Sequence, residues 1–367
     1  MPISNPMRIF FLKATSLVVG LGLIFNISGT VADRVAPQED WRIEHQQRVS
    51  ELQAGAGQVK AVTLGNSHSD SIDYSVLGIE GKSLAFAAAD LFEIEKYAAY
   101  LEENLPGLQT VFIAISYYSF VRDNAELESL RSRRIRFYSM VPVSSPIQGD
   151  FPNFLLGRLE NYTHVMSVAR SDNWKDVWQG LFYGPSLEPF PYDGVETLSE
   201  WGECAHYTVD QLDIHALEIA GRNVSSSMQM AAEHPGLEQD AFDALSRTIE
   251  RLQSRGIQVI LFTPPYYRLY SDYFEEQGST IIEQGKQAAG RLQEIYQVPY
   301  YDFSKDAEII SHPELFYNSD HLSECGKREF SEKLLDKMGE KRKLDSTVEP
   351  HLLTDSSLGS IWFPPGA

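Results

Sequence analysis

The chain has 367 residues and carries 51 acidic against 31 basic side chains, a net charge of −20. At 43% hydrophobic and 22% charged, it has the apolar content of a folded body, which excludes a wholly disordered or collagen-like polymer. An acidic chain without a basic run repels a phosphate backbone, so no nucleic-acid partner is expected.

Residues 8–29, RIFFLKATSLVVGLGLIFNISG, hold their only charges at Arg8 and Lys13. Basic residues stay on the cytoplasmic side, so the body of the chain is expected outside the cell membrane. Counted from Ile9, the apolar stretch is long enough to anchor the chain in a bilayer of roughly 30 Å. Its shorter uninterrupted core, followed by Thr30-Val31-Ala32, also suits a signal peptide cleaved after Ala32, which would release the protein. Residues 1–32 therefore read as an anchor or signal, residues 33–60 as an approach segment, residues 61–340 as one domain and residues 341–367 as a tail.

The domain opens with Ala61-Val62-Thr63-Leu64, a short apolar run closed by Gly65, as expected of a buried parallel strand. Apolar residues three and four apart predict a helix over residues 84–105, stopped by Pro106-Gly107. Residues 111–115 read as a second strand. After a long interval, residues 241–255 read as an amphipathic helix, 259–262 as a third strand, 278–296 as a helix and 298–302 as a fourth strand. This alternation predicts an α/β fold, a three-layer sandwich with a mostly parallel sheet. Between residues 124 and 240 the periodicity fades while Pro, Gly, Ser and aromatic residues thicken, which predicts an insertion or lid over the sheet.

Cys204 and Cys325 permit one bridge without implying it, and His206 near Cys204 lacks the second pair that a metal centre needs. His312 and His351 are expected to face solvent. Asn161-Tyr162-Thr163 and Asn223-Val224-Ser225 match a glycosylation triplet that matters only in a eukaryotic secretory pathway. No dinucleotide or phosphate-cradling glycine motif occurs, so no cofactor is implied and no metal is expected.

Two segments carry chemistry. Gly65-Asn66-Ser67-His68-Ser69-Asp70 follows the first strand, where a parallel sheet collects its reactive groups. Ser67 there is a candidate nucleophile, although the same residues could simply form a polar loop. Residues 315–326 place Asn318, Asp320 and His321 before a terminal helix, and a histidine takes and returns protons near neutral pH. Tyr117-Tyr118 and Tyr266-Tyr267 follow strands two and three, at the expected ligand edge, where a flat face plus a hydroxyl suits a sugar ring.

A strand ending in Gly65-Asn66-Ser67, with a late Asp320-His321-Leu322 loop and Gly326 four residues beyond the leucine, resembles the SGNH (GDSL-type) hydrolase superfamily. The likeness runs over residues 61–338 with the insertion unmatched. The amino-terminal anchor and the Gly65-Asn66-Ser67-His68 block most resemble membrane-tethered members that act beside membrane-bound O-acyltransferases, in teichoic-acid D-alanylation or polysaccharide O-acetylation. The resemblance implies a flavodoxin-like sheet, Ser67 as nucleophile and His321 as base. It also implies an acylated carbohydrate as substrate and an oxyanion held by backbone N–H groups at Ser67 and near Ala88.

The chain departs from the pattern at three places. The usual acid position, three before the histidine, is Asn318, and the only nearby carboxylate, Asp320, adjoins His321, where extended backbone would turn the two side chains apart. Ala88 stands where the second block has glycine. Ser116 and Tyr117 stand where the third block has an asparagine donor. These departures allow a second reading, a catalytically weakened fold that binds a glycan or an acyltransferase partner.

Overall fold

The computed structural model describes residues 12–17, 20, 23, 40–86, 88–141, 143–163, 204 and 207–347. In chain order the elements are α1 (Asp40–Ala54), β1 (Ala61–Leu64), α2 (Tyr74–Leu77), β2 (Gly81–Ser83), α3 (Leu91–Asn104), β3 (Thr110–Ala114), α4 (Glu128–Met140) and α5 (Phe151–Thr163). They continue with α6 (Val209–Glu233), α7 (Leu237–Ser254), β4 (Gln258–Thr263), α8 (Arg268–Gln277), α9 (Ser279–Tyr296), β5 (Tyr300–Asp302) and α10 (Ala307–Ile310). A hairpin of β6 (Phe316–Asn318) and β7 (His321–Leu322) precedes α11 (Glu324–Thr347).

The first five strands pair in parallel in the order β2-β1-β3-β4-β5. Both faces of this sheet are covered, which is why its central strands are apolar throughout instead of alternating. Val111 and Ile113 of β3 join Val62, Leu64, Val259 and Leu261 in a core roofed by α3 and α7. Phe112 and Ala114 point the other way, into a core with Ile260, Phe262, α6, α8 and Phe330 of α11. The three layers match the expected α/β sandwich. The strand order reverses between β1 and β3, and in sheets of this kind the crevice beyond that reversal is where ligands bind.

Strand positions follow the apolar runs closely, while the helix expected over residues 84–105 begins later, at Leu91. Asp90 caps it: its Oδ1 accepts the Glu93 N–H at 2.9 Å, and Glu93 Oε2 accepts the Asp90 N–H at 3.2 Å. Residues 84–86 instead prolong the sheet edge, with the Leu84 N–H on Thr63 O and the Phe86 N–H on Gly65 O. The segment from 124 to 240, expected as an insertion or lid over the sheet, is helical where described, in α4, α5 and the 25-residue α6. Leu212, Ala216, Ile219 and Ala220 bury one face of α6 at helical spacing.

Residues 164–203, His206, His351 and residues 348–367 lie outside the described residues, as does most of the amino-terminal apolar stretch. Among the described residues, no helix is long and apolar enough to cross a membrane.

Cys204 and Cys325 form a disulfide with Cα atoms 5.3 Å apart, closing a span of 121 residues between the start of α6 and the start of α11. A cross-link over so long a span restricts the unfolded chain strongly, so replacing both cysteines by serine is expected to remove about 2–4 kcal/mol of stability. Thermal melting of the two proteins checks this, and equal midpoints would show the bridge to be energetically idle.

Candidate active site

The site is built from three loops at the carboxyl ends of β1, β2 and β3 and from the β6–β7 hairpin. Gly65 closes β1 with φ +149°, and a Cβ there would lie 2.7 Å from the Ser69 Cβ and 3.2 Å from the Ala114 Cβ, so only glycine fits. The chain then winds into a single 3₁₀ turn, Ser67–Ser69. Asn66 caps that turn, its Oδ1 accepting the His68 N–H at 3.1 Å.

His68 is buried on this turn. Its ring centroid is 5.1 Å from that of Tyr266 and 5.1 Å from that of His321. A carboxylate only accepts hydrogen bonds, so the His68 Nε2–H donates to Asp320 Oδ2 at 3.0 Å. The other ring nitrogen, Nδ1, then accepts from the Ser116 hydroxyl at 2.9 Å, and Ser116 Oγ in turn accepts from Asn66 Nδ2 at 2.8 Å. Burial disfavours charge on this imidazole more than Asp320 favours it, and its pKa falls below the ordinary value. His68 is therefore a neutral donor that holds one oxygen of Asp320.

The second oxygen faces His321. Ser319 and Asp320 form the two-residue turn between β6 and β7, with Asn318 paired across to His321. Asp320 thus sits in a turn, not in extended chain, and the expectation that neighbouring side chains point apart fails for that reason. Its Oδ1 lies 3.0 Å from His321 Nδ1, while Asn318 Oδ1 lies 2.9 Å from the same nitrogen. Both candidate partners hold this ring at once. Burial opposes charge on Asp320, yet the two imidazoles outweigh it and hold the carboxyl well below its usual range. Burial likewise disfavours His321 charge, but the adjacent carboxylate overrides it and raises that pKa.

The hairpin is fixed from two sides: Ser319 Oγ is 2.8 Å from His215 Nδ1 of α6, and Ser319 O accepts the Tyr267 N–H at 3.0 Å. Gly326 permits α11 to start against the hairpin, since a Cβ there would overlap Leu315 O at 1.9 Å. Around the rim, Asp70 receives Arg48 of α1 at 3.0 Å and Lys327 of α11 at 3.2 Å, joining both helices to the 3₁₀ turn.

Ser67 is half-buried on this turn, directly before His68, and β7 packs against the turn. Among the described residues, neither Ser67 Oγ nor His321 Nε2 has a hydrogen-bond partner, so the two groups are not joined to each other. The loop holding Ala88 runs beside the turn, following the Phe86 bond to Gly65. Ala88 adopts φ +61°, the left-handed conformation that glycine favours. Asn124 Nδ2 fixes this bend by donating to Ala88 O at 2.9 Å.

Several expected ligand contacts point elsewhere. The Asn66 amide and the Ser116 hydroxyl are consumed by His68, Tyr118 and each other, so neither side chain is turned to an oxyanion. Tyr117 is buried, its hydroxyl donating to Ser271 Oγ at 3.2 Å, and it is not in the cluster. Tyr118, Tyr266 and Tyr267 are buried as well, which removes the four tyrosines as a sugar platform and makes them packing residues. His312 is exposed as expected, paired with Glu314. His68 was missed as a functional residue. Its signal was its place one residue after the candidate nucleophile, on a turn that must bury one of its members.

No protein-family model matches the chain, and no curated protein matches its sequence significantly.

Proposed function

We propose that the chain is an exported SGNH-type serine esterase or O-acyltransferase that acts on an acylated envelope or extracellular polysaccharide. One observation carries this reading: Asp320 and Asn318 grip His321 at Nδ1, so the neutral ring presents its Nε2 lone pair as a base on a hairpin packed against the Ser67 turn. Catalytic hydrogen bonds of this kind often close only when substrate is bound. Ser67 Oγ would attack the acyl carbonyl while its proton passes to His321 Nε2. Backbone N–H groups of the Ser67 turn and the Ala88 bend would hold the oxyanion. The leaving alcohol would take the proton back, and water or a sugar hydroxyl would then receive the acyl group from Ser67.

The disulfide and the amino-terminal apolar stretch support an oxidising compartment outside the cytoplasm, with that stretch as membrane anchor. A membrane-bound O-acyltransferase as partner rests on the family likeness alone. The locked Asn66 and Ser116 favour the second reading, a weakened fold that binds an acylated glycan without turning it over. Labelling by a fluorophosphonate probe separates the two: the chain is expected to label at Ser67 and the Ser67→Ala protein not at all. Equal labelling of both would end the serine reading.

The raised pKa of His321 gives the reading a pH signature. The base must be unprotonated, so p-nitrophenyl acetate turnover is expected to rise with pH through a midpoint above the ordinary histidine value of about 6.5. A flat profile from pH 5 to 9 would exclude His321 as the base.

A further inference from the structure

The structure assigns a second capacity to the same cluster: we propose that His68 Nε2, the Asp320 carboxylate and His321 Nδ1 form a zinc-type divalent-cation site that turns off the serine chemistry when filled. The inhibitory half rests on the esterase reading, whereas cation binding does not.

His68, Asp320 and His321 each place one potential ligand atom within 4.8 Å of the other two. A zinc ion with bonds of about 2.0–2.2 Å holds neighbouring ligands roughly 3.3 Å apart. His68 Nε2 is 3.0 Å from Asp320 Oδ2 and His321 Nδ1 is 3.0 Å from Asp320 Oδ1, so the carboxylate would span the ion with both oxygens while the two imidazoles close on it. Two imidazoles and one carboxylate suit zinc, whereas magnesium and calcium favour oxygen ligands throughout. Asn318 Oδ1, 2.9 Å from His321 Nδ1, stands ready as a further oxygen.

Both coordinating nitrogens carry protons in the hydrogen-bonded state, so each ring must move its proton to its other nitrogen. No proton leaves the protein and nothing is oxidised. His68 would then donate from Nδ1 to Ser116 Oγ, and the Ser116 hydroxyl would need a new acceptor. Tyr266 supplies one: its buried hydroxyl has no hydrogen-bond partner among the described residues and lies beside the Ser116 side chain. His321 would meanwhile carry its proton on Nε2, where it can no longer accept the proton of Ser67. Zinc and catalysis thus demand opposite tautomers of one ring.

The test titrates zinc chloride into the tag-free full-length protein against a chromophoric chelator, beside p-nitrophenyl acetate turnover. Expected are one zinc bound per chain, at least about tenfold weaker binding in His68→Gln and His321→Gln, and a matching fall in turnover that EDTA reverses and magnesium does not reproduce. His321 is partly exposed, so its variant decides the matter if His68→Gln does not fold. Absence of binding, or binding unchanged in His321→Gln, overturns the site even if turnover is robust. Histidine-dependent zinc binding without turnover in any protein supports the site and overturns the esterase reading instead.

Discussion

On the esterase reading, replacing Asp320 by asparagine is expected to lower ester turnover by about four orders of magnitude, as when a triad carboxylate becomes an amide. Asp320 accepts from two imidazoles at once, through Oδ2 from His68 and through Oδ1 from His321. An amide offers one acceptor and one donor, so it satisfies only one of those rings and forces the other to the wrong tautomer. If its NH₂ faces His321, the base loses its outward lone pair. If it faces His68, a buried neutral donor meets another donor, and the side chain is pushed to flip. Asn318 contacts the same His321 nitrogen but brings no charge, so Asn318→Ala is expected to cost far less, about tenfold. Steady-state kinetics on the three proteins checks the ranking. An Asp320→Asn protein within about threefold of the parent would remove Asp320 from the proposed acid role.

Replacing Arg134 by methionine is expected to destabilise the chain by about 3–5 kcal/mol, the cost of stripping the partner from buried charges. Arg134 of α4 is wholly buried and meets four carboxylates: Asp90 at 2.5 Å, Glu93 at 2.8 Å, Asp123 at 2.9 Å and Asp150 at 3.0 Å. One cation cannot balance four anions away from water, so part of the set retains protons. Burial, with the charge of Asp90 added, pushes Glu93 up to about 8 and Asp123 up to about 6. The folded state thus binds protons near neutrality that the unfolded chain releases. Stability from these groups is full at acidic pH, below their unfolded values, and declines as pH climbs towards about 8. Urea midpoints at pH 6 and pH 9 should fall in that order for the parent, and the methionine variant should be weak at both. Asn124 joins this cluster to the site, donating to Glu93 Oε2 at 3.0 Å and to Ala88 O. Loosening around Arg134 would therefore reach the Ala88 bend.

The sheet was legible in the sequence because its strands are buried on both faces, and a short unbroken apolar run such as Ala61–Leu64 has few other fates. β2 was not: Gly81–Ser83 is a half-buried edge strand without an apolar run, recognisable only once β1 is beside it. The start of α3 was misplaced because apolar residues 84–86 fit helical spacing equally well, and only the Asp90 cap decides. At the site, Ser67, Asp320 and His321 were found from residue type and order. The role of His68 and the pairing of Asp320 with His321 depend on turn geometry and on contacts between distant segments, which residue spacing does not encode. Asn66, Ser116 and Tyr117 were singled out by position along strands. Which way such side chains point is settled by neighbours distant in sequence: Asn66 and Ser116 meet across 50 positions, Tyr117 meets Ser271 of α8 across 154, and His68 meets Asp320 across 252.

That separation has a consequence for how the protein comes into being. Ser67 and His68 leave the ribosome early, yet the hairpin that completes their surroundings is made almost last, and α11 and Cys325 follow it. A nascent polypeptide halted before residue 316 would possess the alcohol without His321, the imidazole proposed to activate it, and with Cys204 still a thiol. Any acyl-transferring capacity therefore switches on only after the final fifty or so residues have been delivered and the long loop has closed.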